Sequence, residues 1–210
     1  PGTVGHAIRG TETRIADDGE LLIRGPQVMA GYYKNDAATK EVFTDDGFFR
    51  TGDIAMIDED GCLKITGRIK DIIVTAGGKN ISPQNIENSV KNSRYVEQIA
   101  VIGDRRKFLS ALVVPAFPEL EAWAKQQGVA YGAVTDLLTN AKVLELFRKE
   151  IDENTAQFAR VEQIRKFTLI KAEWTQVTGE LTPTQKVKRR VIEKKYAAEI
   201  DAMYADETGD

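Results

Sequence analysis

The sequence predicts an α+β protein in two textures: a β-rich first third, then a small domain of three strands with flanking helices. Three observations predict it. The turn clusters Asp17-Asp18-Gly19, Asp45-Asp46-Gly47 and Asp58-Glu59-Asp60-Gly61 punctuate short apolar stretches before residue 69, a pattern of strands joined by tight turns. Beyond Arg68, runs rich in Ile and Val at 97–103 and 109–115 read as two strands, with 164–170 as a third. Between and after these runs, apolar residues return at helical spacing. With 210 residues, 42% of them apolar and 29% charged, the chain has material for one ordinary core or two small ones.

Taken in order, residues 20–24 and 62–66 are predicted strands, and Asn35 caps a short helix over 36–43. This zone is too small and turn-rich to stand alone, so it is expected to be the last segment of a larger β structure. Ser82 followed by Pro83 predicts a helix start, because serine accepts an orphan amide bond and proline lacks a donor where none is needed. Ile86 and Val90 then share a face. The turn at 104–108 pairs strands 97–103 and 109–115. A helix over 118–127 turns Leu120, Trp123 and Ala124 inward, with Gly128 as its stop. Leu144, Phe147, Ile151 and Phe158 mark a longer helix, and 164–170 is the third strand. The spacing of Tyr196, Ile200, Met203 and Tyr204 predicts a last helix over 186–203, and residues 205–210 read as a frayed tail.

Composition removes several classes of function. No apolar run reaches bilayer-spanning length, and residues 1–10 lack the basic-then-apolar order of a secretory signal. A cytoplasmic protein is expected, with peripheral membrane contact left open. Cys62 is the single cysteine and His6 the single histidine, so neither an internal disulfide nor a zinc set is available and no bound metal is expected. A net charge of −3 gives no general attraction to nucleic acid, although residues 186–195 hold six basic residues against one Glu. Pro1 is not an initiator methionine, and the residues after it read as the middle of a β-rich region. The sequence is therefore expected to be a piece of a longer chain.

Three segments carry residues that folding alone does not demand. In Gly47-Phe48-Phe49-Arg50-Thr51-Gly52-Asp53 a turn delivers an aspartate directly before a strand. Its carboxylate either accepts two hydrogen bonds from a vicinal diol such as ribose or caps a turn. In Thr75-Ala76-Gly77-Gly78-Lys79-Asn80-Ile81-Ser82-Pro83 the adjacent glycines permit approaches that a β-carbon blocks, so they admit a thin ligand or make a tight hairpin. No Walker phosphate loop is present there, because the upstream glycine and the Ser or Thr after Lys79 are missing. In the third segment, 179–190, Gly179 and Pro183 break a loop that presents Lys186 at the amino end of the last helix, where the dipole opposes a cation. A solvated basic face accounts for Lys188, Arg189, Lys194 and Lys195 and stays open for Lys186. Nucleic-acid binding is the weaker reading, since no aromatics interleave these cations.

In this order, the segments resemble the carboxyl-terminal part of the adenylate-forming superfamily, which contains acyl-CoA synthetases, firefly luciferase and the adenylation domains of peptide synthetases. The resemblance runs from Gly2-Thr3-Val4-Gly5 and Gly31-Tyr32-Tyr33 through Thr51-Gly52-Asp53 and Gly67-Arg68 to Lys186. Within the family, Leu181-Thr182-Pro183-Thr184-Gln185-Lys186-Val187-Lys188-Arg189 and Gly77-Gly78-Lys79-Asn80-Ile81-Ser82-Pro83 look most like bacterial long-chain fatty acyl-CoA synthetases. The Asn-Gly-Lys loop usual in peptide-synthetase domains is absent.

The resemblance implies that residues 1–69 end a large AMP-binding domain, as part of its barrel, and that residues 70–210 form a mobile lid. It implies a fatty acid, ATP with Mg2+, and CoA as reactants. The carboxylate would first form an acyl-adenylate and then a thioester, and the chain would be inactive without its missing amino-terminal domain. Asp53 would bind the ribose hydroxyls and Arg68 would support the same nucleotide. Lys70, where many relatives carry aspartate, matches the hinge. Gly77 and Gly78 would line the passage for the pantetheine arm of CoA, and Lys186 would be the catalytic lysine of the first half-reaction. A lysine between two approaching anions lowers their barrier but would obstruct the thiol that attacks next, so rotation of the lid exchanges the two faces. The competing readings are a non-catalytic nucleotide-binding or protein-interaction module derived from such an enzyme, and a luciferase-like or peptide-synthetase-type role.

Overall fold

In the computed structural model, which describes residues 2–205, the acidic turn clusters do the joining that their composition predicts. Asp17-Asp18-Gly19 connects β1 (Glu12–Ile15) to β2 (Glu20–Arg24), with the Gly19 amide bonded to the Ala16 carbonyl at 2.9 Å. Asp58 to Gly61 connects β3 (Phe49–Ile57) to β4 (Leu63–Arg68). The strands form one antiparallel sheet in the order β1-β2-β3-β4. A small core of Leu21, Ala55 and Leu63, with Ile15 and Ile23 against it, lies on one face. Between β2 and β3, α1 (Asp36–Val42) starts where Asn35 Oδ1 accepts the Ala38 amide at 3.1 Å, the cap bond expected of asparagine.

After Ile72 the chain passes into a second compact unit. Its elements are β5 (Ile73–Val74), β6 (Asn80–Ile81), α2 (Pro83–Val90), β7 (Val96–Ile102), β8 (Leu109–Pro115), α3 (Phe117–Gln126), α4 (Ala141–Thr155), β9 (Ile164–Leu169), α5 (Arg189–Lys195) and α6 (Ala197–Tyr204). β5 and β6 make a two-stranded hairpin, while β7, β8 and β9 make the three-stranded sheet, β8 central and β9 parallel to it. The parallel pairing requires a crossover, which α3 and α4 supply.

Continuous apolar runs in β7 and β8 reflect a sheet buried on both faces. Ile99, Val101, Ala111 and Val113 face one core with Ile86 and Val90 of α2, Leu120 and Ala124 of α3, and Val143, Phe147 and Ile151 of α4. Their neighbours Ala100, Ile102, Leu112 and Val114 face another core with Trp174, Ile192, Tyr196, Ile200, Met203 and Tyr204. The strand period of two assigns each residue its side.

Some sequence expectations need correction. Ser82 holds the cap position and Pro83 the first turn of α2, but the predicted bond from an amide to the Ser82 hydroxyl is not formed. Leu144 lies on the outer face of α4, whose buried stripe is Val143, Phe147 and Ile151, and Phe158 falls beyond the helix end. The last helix is neither continuous nor as long as 186–203. Val187 is taken up in a β-bridge with Leu181, so helix begins only at Arg189. It then breaks at Tyr196 (φ −108°, ψ 29°) before resuming as α6. Of the tail expected over 205–210, residues 206–210 lie outside the described residues. Among the described residues no helix is long and apolar enough to cross a membrane.

Candidate functional site

Asp53 stands inside β3, not directly before a strand. Glu20 pairs with Ile54 and Leu22 with Arg50, so Thr51, Gly52 and Asp53 stand opposite Leu21 alone. Such a bulge bends a strand and re-aims its side chains. Gly52 takes φ +71° there, a backbone that a β-carbon resists. The bulge is held from behind. The buried Glu20 carboxylate accepts the Gly52 amide at 3.0 Å and Arg50 Nη1 at 3.1 Å, and Thr51 Oγ1 donates to the Leu21 carbonyl at 2.7 Å while accepting the Asp53 amide at 3.1 Å. Across the next strand pair Asp53 faces Arg68, whose Nε donates to Asp53 Oδ1 at 2.8 Å. The fold thus brings these two predicted nucleotide residues together. Among the described residues no donor reaches Asp53 Oδ2, which leaves an acceptor beside an exposed guanidinium.

Lys70 sits in a single 3₁₀ turn, Ile69–Asp71, that leaves β4; the Ile72 amide closes the turn on Ile69 at 3.3 Å, and the division between the two units follows Ile72. Its side chain is exposed.

Gly77 and Gly78 occupy the tip of the β5-β6 hairpin, where the Thr75 amide bonds the Lys79 carbonyl at 3.0 Å and Gly78 takes φ +75°. A β-carbon at Gly78 would meet nothing within 4 Å, so the surface beside it is open. The hairpin is strapped to the turn between β7 and β8. Ala76 donates to the Arg106 carbonyl at 2.9 Å, Arg105 donates to the Val74 carbonyl at 2.8 Å, and Asp104 Oδ1 accepts the Val74 amide at 3.1 Å. That same turn continues into a cavity of about 590 Å³ lined by Lys107, Phe108, Arg148, Arg160 and Arg165. The Arg165 guanidinium lies 5.1 Å from the Phe108 ring centroid.

Lys186 closes a separate hairpin. The Thr182 amide bonds the Lys186 carbonyl at 2.8 Å, the Lys186 amide returns to Thr182 Oγ1 at 3.0 Å, and Gln185 turns the chain with φ +61°. These bonds occupy the backbone that a helix would need. Lys186 is therefore not at a helix terminus, and the dipole argument for it does not hold. Its side chain is exposed, and among the described residues no carboxylate pairs with it.

Two of the cations assigned to a solvated face are structural. Arg189 Nη2 donates to Glu87 Oε1 at 2.6 Å and Nη1 to the Val101 carbonyl, with both side chains largely buried. Lys195 Nζ donates to Glu180, a residue with no solvent exposure. Burial pushes the Glu180 carboxyl up, but the bonds from Lys195 and Thr178 outweigh it and bring it down to about 2. Lys188 and Lys194 are exposed as expected. Glu20, Glu87, Glu180 and the cavity cations went unread in the sequence. The one local signal was a carboxylate at a position that alternation or turn chemistry would give to a buried side chain.

Among the described residues no group of three or more His, Cys, Asp or Glu could hold a metal. The model of the AMP-binding enzyme C-terminal domain matches residues 70–208. The long-chain-fatty-acid–CoA ligase FadD15 of Mycobacterium tuberculosis is 44% identical over 98% of this chain, and the putative fatty-acid–CoA ligase fadD11 of the same species is 41% identical over 98%. The chain spans about a third of their length, 34% and 36%. Among solved structures, the adenylation domain of a carboxylate reductase from Mycobacterium chelonae superposes with a TM-score of 0.79 at 26% identity, over 96% of this chain and 32% of that one. ATP-bound MatB from Rhodopseudomonas palustris gives 0.63 at 28% identity, over 93% and 36%. A bulge carrying an Asp–Arg pair, a glycine hairpin and a lysine hairpin thus sit on a chain that two-thirds matches one family model, and the chain belongs to the AMP-binding enzyme C-terminal domain family.

Proposed function

We propose that this chain is the carboxyl-terminal part of an ATP-dependent long-chain fatty acid CoA ligase, which joins a fatty acid to ATP as an acyl-adenylate and then transfers the acyl group to CoA. The acyl class rests on the similarity to the long-chain-fatty-acid–CoA ligase at 44% identity. The observation that carries the chemistry is Lys186, an exposed ammonium at the end of a tightly hydrogen-bonded hairpin. When a carboxylate oxygen attacks the α-phosphorus of ATP, negative charge grows on the phosphoryl oxygens and on departing pyrophosphate. A positioned ammonium stabilises that charge more in the transition state than in the ground state. Mg2+, entering with the triphosphate, supplies further charge neutralisation.

Asp53 accepts the ribose hydroxyls through Oδ2 while Arg68 holds Oδ1, so the carboxylate keeps one orientation through both half-reactions. The segment 69–72 is the turning point, because a single 3₁₀ turn has few hydrogen bonds to break when its dihedrals change. The Gly77–Gly78 tip offers a surface without β-carbons to the pantetheine arm. The cavity beside the β7-β8 turn, where Lys107, Arg160 and Arg165 outnumber the one carboxylate, Asp152, which is paired to Arg148, takes the phosphate-bearing end of CoA.

The test is to separate the half-reactions in the full-length enzyme. Lys186→Ala lowers acyl-adenylate formation about 10²–10³-fold, the cost of removing one preorganised charge-stabilising donor. Thioester formation from supplied acyl-adenylate stays within about twofold. Equal loss of both steps would remove Lys186 from this role.

A further inference from the structure

Arg189 has no local reason to point inward. It is the first residue of α5, where the helix dipole disfavours a cation, and three residues earlier Lys186 reaches solvent. Yet the Arg189 guanidinium is drawn beneath the helix, donating to Glu87 of α2 and to the Val101 carbonyl of β7, while Glu87 Oε1 also accepts the Val101 amide at 2.8 Å. Arg189 Nε is buried with no hydrogen-bond partner. An ion pair so placed is a poor way to gain stability, because desolvation of the two charges offsets their attraction and apolar replacements are often neutral or better. What it provides is geometry: a planar fork accepts one position only.

The other leg of the Lys186 hairpin is treated the same way. The Lys188 amide bonds the Glu180 carbonyl at 2.7 Å, and the Glu180 carboxylate is itself buried against Lys195. The hairpin stem is thus pinned on one side through Glu180 and on the other through Arg189, while Lys186 between them stays unencumbered.

We infer that Glu87 and Arg189 are positioning residues for Lys186: their buried pair sets where the hairpin stem leaves α5, and so where the ammonium stands when the α-phosphate reacts. This rests on the catalytic reading of Lys186 given above. Displacing a catalytic group by about 1 Å from a remote site costs about 10²-fold in rate.

The experiment uses the full-length enzyme with three variants: Arg189→Lys, Glu87→Gln with Arg189→Met, and Lys186→Ala as reference. Acyl-adenylate formation, thioester formation from supplied acyl-adenylate, and thermal melting are measured for each. In the double variant, which leaves no unpaired buried charge, melting is expected within a few degrees of the parent. Its kcat for adenylate formation is expected to fall about 10²-fold with KM for ATP little changed, while thioester formation stays within about twofold. Arg189→Lys, which keeps the charge without the fork, falls between the two. A folded double variant with parental adenylate formation overturns the inference, as does equal loss of both half-reactions. If Lys186→Ala itself spares adenylate formation, the catalytic reading fails and the inference falls with it, a result distinct from the other two.

Discussion

The hairpins 181–187 and 73–81 are both short, exposed at the tip and fastened from behind, but by different means. The first has one backbone bond behind it, from the Leu181 amide to the Thr175 carbonyl at 3.1 Å, and is otherwise pinned through side chains: the Glu180 carboxylate against Lys195, and the Arg189 guanidinium against Glu87. The second is pinned almost wholly through backbone, by two amide–carbonyl bonds to the Arg105–Arg106 segment and one Asp104 carboxylate contact. The difference follows from what each presents. On the proposed function the ammonium of Lys186 must be aimed, and buried charged anchors below the stem would aim it. On the same proposal the bare backbone of Gly77 and Gly78 needs only to be held in place and kept free of β-carbons.

That contrast can be broken first at Gly78. Nothing within the chain would touch a new β-carbon there, so a substitution costs only the strain of φ +75°, about 1–2 kcal/mol. Gly78→Val is therefore expected to melt slightly earlier, to slow thioester formation by about 10²-fold through obstruction of the acceptor thiol, and to leave adenylate formation within about twofold. Equal slowing of both steps would remove the distinction between the two hairpins.

Glu180 sharpens the contrast through pH. Its carboxyl lies near 2 against an ordinary 4.5, so the folded state favours the ionised form. The stability it contributes is fully present above about pH 4.5 and is lost as pH falls toward about 2. Lys195 is half exposed, which weakens the pair through solvent screening. Glu180→Gln is expected to cost about 1–2 kcal/mol in denaturant unfolding at pH 7, and the gap from the parent should close as the pH is lowered through this window. A gap that stays constant from pH 6 to pH 3 would mean that packing, not charge, fastens this stem.

The smallest effect is expected at Asp104. Asp104→Ala removes one carboxylate–amide bond while the backbone pair to Val74 and Ala76 remains, so local opening of the glycine hairpin by amide exchange should become easier by about 1 kcal/mol. A larger effect would show that the second hairpin, too, depends on a side-chain anchor.

Much of this fold was legible because it is written in local chemistry. Asn35 capped its helix, the three acidic turn clusters fell between elements, and the strands expected at 97–103 and 109–115 paired through the turn between them. Where local signals competed with packing, packing prevailed. Tyr196 to Tyr204 have a helical period, but the chain from Lys186 spends its hydrogen bonds on the Leu181–Val187 bridge before any helix can begin. At the start of α4 the buried stripe is shifted by one residue from the expected Leu144 to Val143.

Local chemistry along the chain specified most strands and helices of the second unit, the acidic turns and the glycine pair at 77–78, since each of these depends on neighbours a few residues away. Long-range packing alone sets Asp53 against Arg68 across a bulge and separates the anchors Arg189 and Lys195 from the other cations of the run 186–195. Glu87 and Arg189 are 102 residues apart. No periodicity or turn rule acts over that distance; they meet because α2 and α5 both reach β7, and a buried charge there must find its counter-ion.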